Sequence, residues 1–256
     1  TKQWLGEDTM KRSLFAGAAL LAAVILPAAV NAQETIKIGV ITAFSGQFAD
    51  TSAQIDNGIK LYMKQHGDKV AGKKIEIIRK DTGGPNPDVS KRLAQELVVR
   101  DKADILAGFA LTPEALGAAS VADEAKKFMV VMNAATAVIT EKSPYIVRVS
   151  LTLPMIGETL GTWAVKKGGV KKAYTMVTDY GPGLDAEAAF QRAFKAAGGE
   201  IVGSVRMPIA NPDFSAFVQR AKDLNPESIF VFIPGGAQPA ALGKAFAERG
   251  MDPKKI

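Results

Sequence analysis

Residues 36–46, with the sequence Ile-Lys-Ile-Gly-Val-Ile-Thr-Ala-Phe-Ser-Gly, decide the fold of this chain. The apolar, β-branched residues over 36–41 predict a short strand, and the small and polar residues after them predict a loop. A helix is predicted from about Thr51. Its apolar face consists of residues at helical spacing, namely Ile55, Ile59, Tyr62 and Met63. Gly67 is predicted to end this helix, so the stretch begins a β-α-β unit.

The same alternation continues along the chain. Further strands are predicted over residues 74–78, 104–108, 128–132, 172–177, 200–205 and 228–233, and residues 145–149 are interpreted as an extended connector. Helical patterns of about 10–15 residues separate the strands, which predicts parallel sheets. The chain length favours an α/β fold with two lobes, residues 33–150 and 151–256, each a parallel sheet flanked by helices. The pattern stops at Ile256, where another strand is due, so the second lobe is expected to be incomplete and the chain truncated.

The composition excludes several kinds of chemistry. The 256 residues contain no cysteine and one histidine, His66, and the net charge is +6. The lack of cysteine excludes a disulfide framework, a thiolate zinc site and a cysteine nucleophile. His66 lies at the predicted end of the first helix and is interpreted as a structural side chain beside the negative end of the helix dipole. The basic residues form no stripe with interleaved aromatic residues, so no nucleic-acid partner is predicted.

The first 32 residues have the pattern of an export signal. Lys11 and its neighbour Arg12 precede the apolar run 14–30, and small residues at Val30 and Ala32 match a signal-peptidase site. A membrane anchor is the alternative, because the run is nearly long enough to span a bilayer. Pro27 and the cleavage motif favour a signal peptide. We therefore predict upstream residues and a signal peptide over 1–32, cleavage after Ala32 and a periplasmic location.

Polar and small residues follow the predicted strands, at the edge where open α/β sheets bind ligands. The loops concerned are residues 44–46, 109–112, 133–136 and 179–183. They offer hydroxyl groups and backbone N–H groups at helix N-termini, which suit a carboxylate. They contain no paired carboxylates, no nucleophile–base pair and no set of metal ligands. The loops therefore predict ligand binding without a catalytic residue, a cofactor or a metal.

An exported α/β enzyme is the competing class. A dinucleotide-binding enzyme needs a Gly-x-Gly-x-x-Gly run after the first strand, and residues 39–46 do not supply one. A Walker-type Gly-Lys-Ser/Thr sequence is also absent from the chain. The residues thus favour a binding protein over an enzyme.

Four stretches in combination resemble one known family. Residues 38–46, Asn57-Gly58, residues 133–136 and the Asp179-Tyr-Gly-x-Gly183 run resemble the leucine/isoleucine/valine-type periplasmic binding proteins of ABC transporters. The resemblance covers the whole chain after the predicted signal peptide. It implies the type I periplasmic binding fold, a two-lobed clamshell with three crossovers that traps a solute at its hinge.

The resemblance also implies a function and partners. The protein would capture a small carboxylate-bearing solute, either a branched-chain or related amino acid or an aromatic acid. It would deliver this solute to the permease subunits of an ABC importer in the membrane. A ligand-sensing domain of the same fold, coupled to a signalling receptor, is an alternative that the sequence does not distinguish.

The same resemblance assigns ligand contacts to four residues. Thr112 falls where a hydroxyl binds the ligand carboxylate, and Ala134 and Thr136 fall where a carbonyl oxygen and a hydroxyl face the ligand. Tyr180 falls where the second lobe closes over the ligand. Both threonines have a simpler interpretation as helix or turn caps.

Three further positions belong to the implied site. Ser45 lies in the first strand-end loop, with shaping of that loop as its alternative role. Thr51 and Ala237 stand where amino-acid binders often carry aromatic residues, and these departures weaken the prediction of a branched-chain amino acid. Related receptors bind aromatic acids, amides or urea, and the carboxylate-binding residues would suit an aromatic acid equally well. The acidic residue that pairs with an amino acid's ammonium group would lie beyond Ile256.

Overall fold

The computed structural model describes residues 34–210 and 212–255. The expected signal peptide and its cleavage site lie outside these residues. Residues Thr35–Ile256 form one compact unit. Within the described part of this unit, two sheets with flanking helices make two lobes. The helices of the described residues include none that is long and apolar enough to cross a membrane.

In the described residues, the first lobe contains six strands and three α-helices. The strands are β1 (Thr35–Thr42), β2 (Lys69–Val70), β3 (Lys73–Asp81), β4 (Ile105–Gly108), β5 (Phe128–Val131) and β6 (Ile146–Arg148), and the helices are α1 (Ala49–His66), α2 (Pro87–Val99) and α3 (Thr112–Ala125). The sheet order is β2-β3-β1-β4-β5-β6. Ile38 of β1 lies opposite Ile77 of β3 and Ile105 of β4, both in parallel register. The core behind this sheet includes Leu97 and Met129.

In the described residues, the second lobe contains three strands and four α-helices. The strands are β7 (Lys172–Thr178), β8 (Glu200–Met207) and β9 (Ser228–Phe232), and the helices are α4 (Leu153–Lys166), α5 (Gly181–Ala196), α6 (Phe214–Asp223) and α7 (Gln238–Glu248). The three strands are parallel in the order β8-β7-β9. The rings of Phe190 and Phe230 stack with centroids 4.2 Å apart, which ties α5 to the sheet.

The structure confirms the α/β fold and the predicted strands, and it corrects three details. Residues 145–149 are not a connector, because Ile146 to Arg148 form β6, which pairs with β5 in parallel. The short β2 pairs antiparallel with β3, so the first sheet is mixed at its edge. The apolar face predicted for α1 is not fully buried, since Tyr62 is 63% exposed. Helical spacing alone therefore overestimated the burial of this helix.

The two lobes touch each other at two separate places in the described residues. The backbone N–H of Ala237 donates to the carbonyl oxygen of Gln47 at 3.2 Å. On another part of the interface, the backbone N–H of Ala137 donates to Asp185 Oδ2 at 2.8 Å. We propose that the lobes divide between residues 150 and 151, in the link between β6 and α4.

Candidate ligand-binding site

A cleft of about 570 Å³ lies between the lobes, at the carboxyl ends of the parallel strands. Its walls are formed by residues 51, 110–112, 132–135, 149–151, 153, 156, 180, 182 and 232–235. Most of these residues directly follow β4, β5, β6, β7 or β9, because the loops at this edge of each sheet face the opposite lobe. The volume falls in the range of small-molecule sites, about 300–1,000 Å³.

Two threonine hydroxyls form a pair beside this cleft. Thr112 Oγ1 and Thr136 Oγ1 lie 2.7 Å apart, and the two residues are 2% and 5% exposed. Neither side chain caps a helix, because Leu111 is the N-cap of α3 and the Thr136 hydroxyl makes no capping bond to the turn after it. When one hydroxyl donates to the other, the proton of the second is available to a further acceptor. The pair can therefore donate one hydrogen bond to a ligand oxygen.

Two helix N-termini from opposite lobes meet at this hydroxyl pair. Helix α3 begins at Thr112, and α5 begins at Gly181 of the second lobe. A Cβ atom placed on Gly181 would lie 2.5 Å from Thr136 Oγ1, so the start of α5 packs directly against the pair. Helix N-termini carry a partial positive charge and unpaired N–H groups, which stabilise an anion. This corner of the cleft is suited to a carboxylate.

The other described residues of the cleft are uncharged and mostly apolar, with Thr51, Asn133 and Ser150 as polar members. Its wall includes Met132, Leu153 and Ile156, and the lining residues of the described structure contain no Asp, Glu, Lys or Arg. A ligand carboxylate would therefore be held by neutral donors and helix dipoles rather than by a cation. An ammonium group would find no carboxylate partner among these lining residues. A buried charge without a partner is costly.

Tyr180 and Phe232 form an aromatic wall on the side of the second lobe. Their rings stack at a centroid distance of 6.3 Å with 28° between the ring planes. Burial raises the pKa of the Tyr180 phenol above its usual range, so this side chain is neutral. The 6.3 Å distance between the two rings lies within the range of about 4.5–7 Å that stacked aromatic rings prefer. Such rings give a flat apolar ligand a surface to pack against.

Arg148 and Asp185 hold the loop over residues 134–137 in place. Arg148 donates to the carbonyl oxygens of Ala134 at 3.2 Å and Thr136 at 2.6 Å. Asp185 of α5 accepts the backbone N–H of Ala137. The loop that carries the Thr136 hydroxyl is thus fixed by an arginine of its own lobe and by a carboxylate of the other lobe. Its conformation is coupled to the contact between the lobes.

Glu114 stabilises two loops next to the cleft through buried hydrogen bonds. Its side chain is completely buried, accepts a hydrogen bond from Thr82 Oγ1 at 2.7 Å and accepts the Leu111 N–H at 3.0 Å. It thereby connects the loop after β3 with the loop that leads into Thr112. Burial raises the pKa of Glu114 to about 7, and the hydrogen bonds offset part of that effect.

We expect the free energy of unfolding to fall as the pH rises from about 4.5 to about 7. The raised pKa means that the folded state retains the Glu114 proton in this range while the unfolded chain releases it. The slope contributed by one such group is at most about 1.4 kcal/mol per pH unit. Carboxyls with lowered pKa values, such as Asp56 and Asp101, add a slope of the opposite sign only at the acidic end of this range, where the unfolded chain begins to protonate them. Urea titrations from pH 5 to pH 7.5 should show the decline in the parent protein and a flatter profile in Glu114→Gln. Equal slopes would contradict the assignment.

The structure brings together most of the residues that the sequence predicted for the site. Thr51, Thr112, Ala134 and Tyr180 line the cleft, and Thr136 touches it through Thr112. Thr51 lies against Gly235, where a Cβ atom would be 2.9 Å from Thr51 Oγ1.

Two of the predicted residues do not line the cleft. The backbone N–H of Ser45 donates to Asp81 Oδ1 at 3.2 Å, so the first loop is tied to the end of β3. Ala237 lies at the start of α7 and contacts Gln47 across the lobes through its backbone. The described contacts of Ser45 and Ala237 are therefore hydrogen bonds to other parts of the protein rather than contacts with the cleft. Residues 232–235, which precede Ala237 in the chain, form the cleft wall instead.

Several wall residues were missed by the sequence analysis. Ser150 and Leu151 follow β6, and Phe232 ends β9. These residues could have been predicted, because the loop after every parallel strand of an open α/β sheet lies at the edge that binds ligands. The loop after β6 was not predicted to lie there because residues 145–149 were interpreted as a connector. Among residues 34–210 and 212–255, no group of three or more His, Cys, Asp or Glu could hold a metal ion.

Two lobes that enclose an uncharged, largely apolar cleft define a two-lobed solute-binding protein. The family model described as periplasmic binding protein matches residues 35–256, and the chain belongs to this family. A curated relative, the Leu/Ile/Val-binding protein homolog 6 of Brucella melitensis biotype 1, is 43% identical over 231 residues, which are 90% of this chain and 59% of the relative.

Solved structures agree with this assignment. A solute-binding protein of an ABC transporter from Rhodopseudomonas palustris BisB5, in complex with 3,4-dihydroxybenzoic acid, is 53% identical with a TM-score of 0.83. Another from Rhodopseudomonas palustris, in complex with 4-hydroxybenzoate, is 44% identical with the same TM-score. In both cases the match covers 87% of this chain and 60% of the other chain. The chain therefore spans about three fifths of the length of these relatives.

Proposed function

We propose that this protein is the periplasmic solute-binding component of an ABC importer and that its solute is an aromatic carboxylate. In this proposal the signal peptide directs export, the cleft captures the acid without any catalytic step, and the closed form delivers it to permease subunits. The observation that carries the proposal is the cleft itself, in which two helix N-termini and a hydroxyl pair lie beside the aromatic pair of Tyr180 and Phe232.

The aromatic ring pair at the cleft supports an aromatic acid over an α-amino acid. Both ligands carry a carboxylate, which the corner at Thr112 and Gly181 suits equally well. Only the aromatic acid adds a ring that can stack on Tyr180 and Phe232. The hydroxybenzoate complexes of the two Rhodopseudomonas relatives support the same ligand class.

Binding measurements on the full chain test this proposal. Calorimetric titration of ligand-stripped protein with benzoate should show saturable binding, whereas L-leucine should bind at least about tenfold more weakly because it has no ring to stack on Tyr180 and Phe232. Phenylacetate, in which an additional carbon separates the ring from the carboxylate, is the control for ring position. Toluene, which has no carboxylate, is the control for the charged group. Tighter binding of L-leucine, or equal binding of toluene, would contradict the proposal.

A further inference from the structure

Gln47 is the centre of one of the two contacts between the lobes. It lies between β1 and α1 in the first lobe. Its side-chain Nε2 donates to the carbonyl oxygen of Ile209 at 3.3 Å, and its own carbonyl oxygen accepts the backbone N–H of Ala237 at 3.2 Å. Ile209 follows β8 and Ala237 follows β9, both in the second lobe. One residue of the first lobe thus binds two loops of the second lobe.

Apolar packing surrounds these hydrogen bonds. The Ile209 side chain packs against a buried cluster of the first lobe that includes Phe48 and Leu111. A Cβ atom placed on Gly236 would lie 2.1 Å from the Gln47 carbonyl oxygen, so the two backbones are in direct contact. The hydrogen bonds of Gln47 therefore belong to a packed interface rather than to a bridge across open solvent.

Each side of this contact is also held by its own lobe. In the first lobe, the N–H of Ser45 donates to Asp81, which ties the loop that leads into Gln47 to the end of β3. In the second lobe, Gln238 Nε2 donates to the Ile209 carbonyl oxygen at 2.7 Å. This oxygen has two lone pairs and accepts one hydrogen bond from each lobe. Both surfaces are therefore ordered by bonds within their own lobe, which lowers the entropy cost of bringing them together.

The sheet order places the Gln47 contact away from the link between the lobes. The link follows β6, whereas Gln47 follows β1, and β4 and β5 lie between these two strands. At about 4.8 Å per strand, the ends of β1 and β6 are roughly 14 Å apart. Rotation of one lobe about the link moves the points farthest from the link the most. The Gln47 contact is thus well placed to oppose separation of the lobes.

We propose that Gln47 is a positioning residue that slows the release of a bound solute. Together with residues 209 and 236–238 it forms an interlobe latch. Gln47 does not touch the solute and acts only by keeping the lobes together around the cleft. The choice of benzoate as the probe rests on the proposed function, whereas the latch does not depend on the kind of solute.

The first test measures the dissociation rate of benzoate from Gln47→Met. Methionine is similar in length to glutamine but cannot donate to the Ile209 carbonyl oxygen. The dissociation rate in stopped-flow measurements should rise roughly 2- to 10-fold, which corresponds to the loss of one neutral hydrogen bond. The association rate should change little.

Gln191→Met is the matched control. Gln191 Nε2 donates to Thr175 Oγ1 at 2.9 Å, and both residues belong to the second lobe. This variant loses a hydrogen bond of the same kind without loss of a contact between the lobes. It should lower the melting temperature and leave the dissociation rate of benzoate unchanged.

The second test measures the distance between the lobes and needs no solute. The chain has no cysteine, so cysteines introduced by Lys64→Cys and Lys244→Cys are unique sites for spin labels. Both lysines are exposed, one in α1 of the first lobe and one in α7 of the second. Pulsed EPR on the unliganded protein should show a larger share of long distances in Gln47→Met than in the parent or in Gln191→Met.

The outcomes separate the latch from the proposed function. If benzoate leaves Gln47→Met at the parent rate, or if Gln191→Met has the same effect on the rate, the role of Gln47 in retention is overturned and the proposed function stands. If benzoate does not bind the parent, the proposed function is overturned. The distances then decide the latch alone: a shift in Gln47→Met supports it, and an unchanged distribution overturns it.

Discussion

Replacing Thr112 or Thr136 by valine should weaken the binding of benzoate by roughly 10- to 150-fold. Valine keeps the shape of threonine and removes only the hydroxyl. The hydroxyls lie 2.7 Å apart, so one donates to the other and only the second can donate to the carboxylate. A hydrogen bond to a charged group contributes about 1.5–3 kcal/mol, which corresponds to the stated loss of affinity.

The two threonines should also act as a unit. Because loss of either hydroxyl breaks the same chain of hydrogen bonds, the double variant should bind benzoate about as weakly as the poorer single variant. Calorimetry on the single and double variants measures this coupling. Thr159→Val is the control, since the Thr159 hydroxyl is on the exposed surface of α4 and bonds to the Met155 carbonyl oxygen. Unchanged benzoate affinity together with a lower melting temperature would show that the pair is structural.

The sequence predicted this pair because both residues follow parallel strands. β4 precedes Thr112 and β5 precedes the loop that carries Thr136, and the carboxyl ends of parallel strands lie at one edge of a sheet. The rule needs only strand positions, which hydrophobic runs reveal. It does not show that the two hydroxyls touch or that α5 of the other lobe packs against them.

Features that depend on tertiary packing could not be predicted from the sequence. Ser45 and Ala237 were placed in the site by resemblance, but the loop of Ser45 is tied to Asp81 and the backbone of Ala237 is bonded to Gln47. The raised pKa of Glu114 depends on complete burial beneath three loops, and a glutamate three residues into a helix otherwise indicates only a favourable first turn. Local patterns carry no information on such long-range contacts.

The exposed side of α1 illustrates the same limit. Tyr62 and Met63 share an apolar face with Ile59, and all three border an apolar groove over the first sheet together with Ile38 and Ile75. The periodicity correctly identified which residues share a face. The degree of burial depends on what packs against that face.

Gly181→Ala should weaken benzoate binding by roughly 5- to 150-fold while leaving each lobe folded. A Cβ atom at this position would lie 2.5 Å from Thr136 Oγ1 and 3.3 Å from Thr112 Cγ2, both in the opposite lobe. Within its own helix, alanine is favoured over glycine. The added methyl group therefore acts across the cleft, where it must either hold the lobes apart or rotate Thr136 and break the hydroxyl pair. Overpacking of a tight contact typically costs about 1–3 kcal/mol, which sets the range.

The position of the clash determines which measurements should change. Because Gly181 and Thr136 belong to opposite lobes, the added methyl group destabilises the arrangement in which they touch, so the benzoate dissociation rate should rise more than the association rate falls. The melting temperature without ligand should stay close to that of the parent.

Gly243→Ala is the matched control: it also lies in a helix, α7, and a Cβ atom there meets nothing within 4 Å. That control should retain benzoate affinity and gain up to about 1 kcal/mol of stability. If Gly181→Ala bound benzoate as tightly as Gly243→Ala, the start of α5 could not be part of the closed binding site, and the anion corner would have to be formed by the first lobe alone.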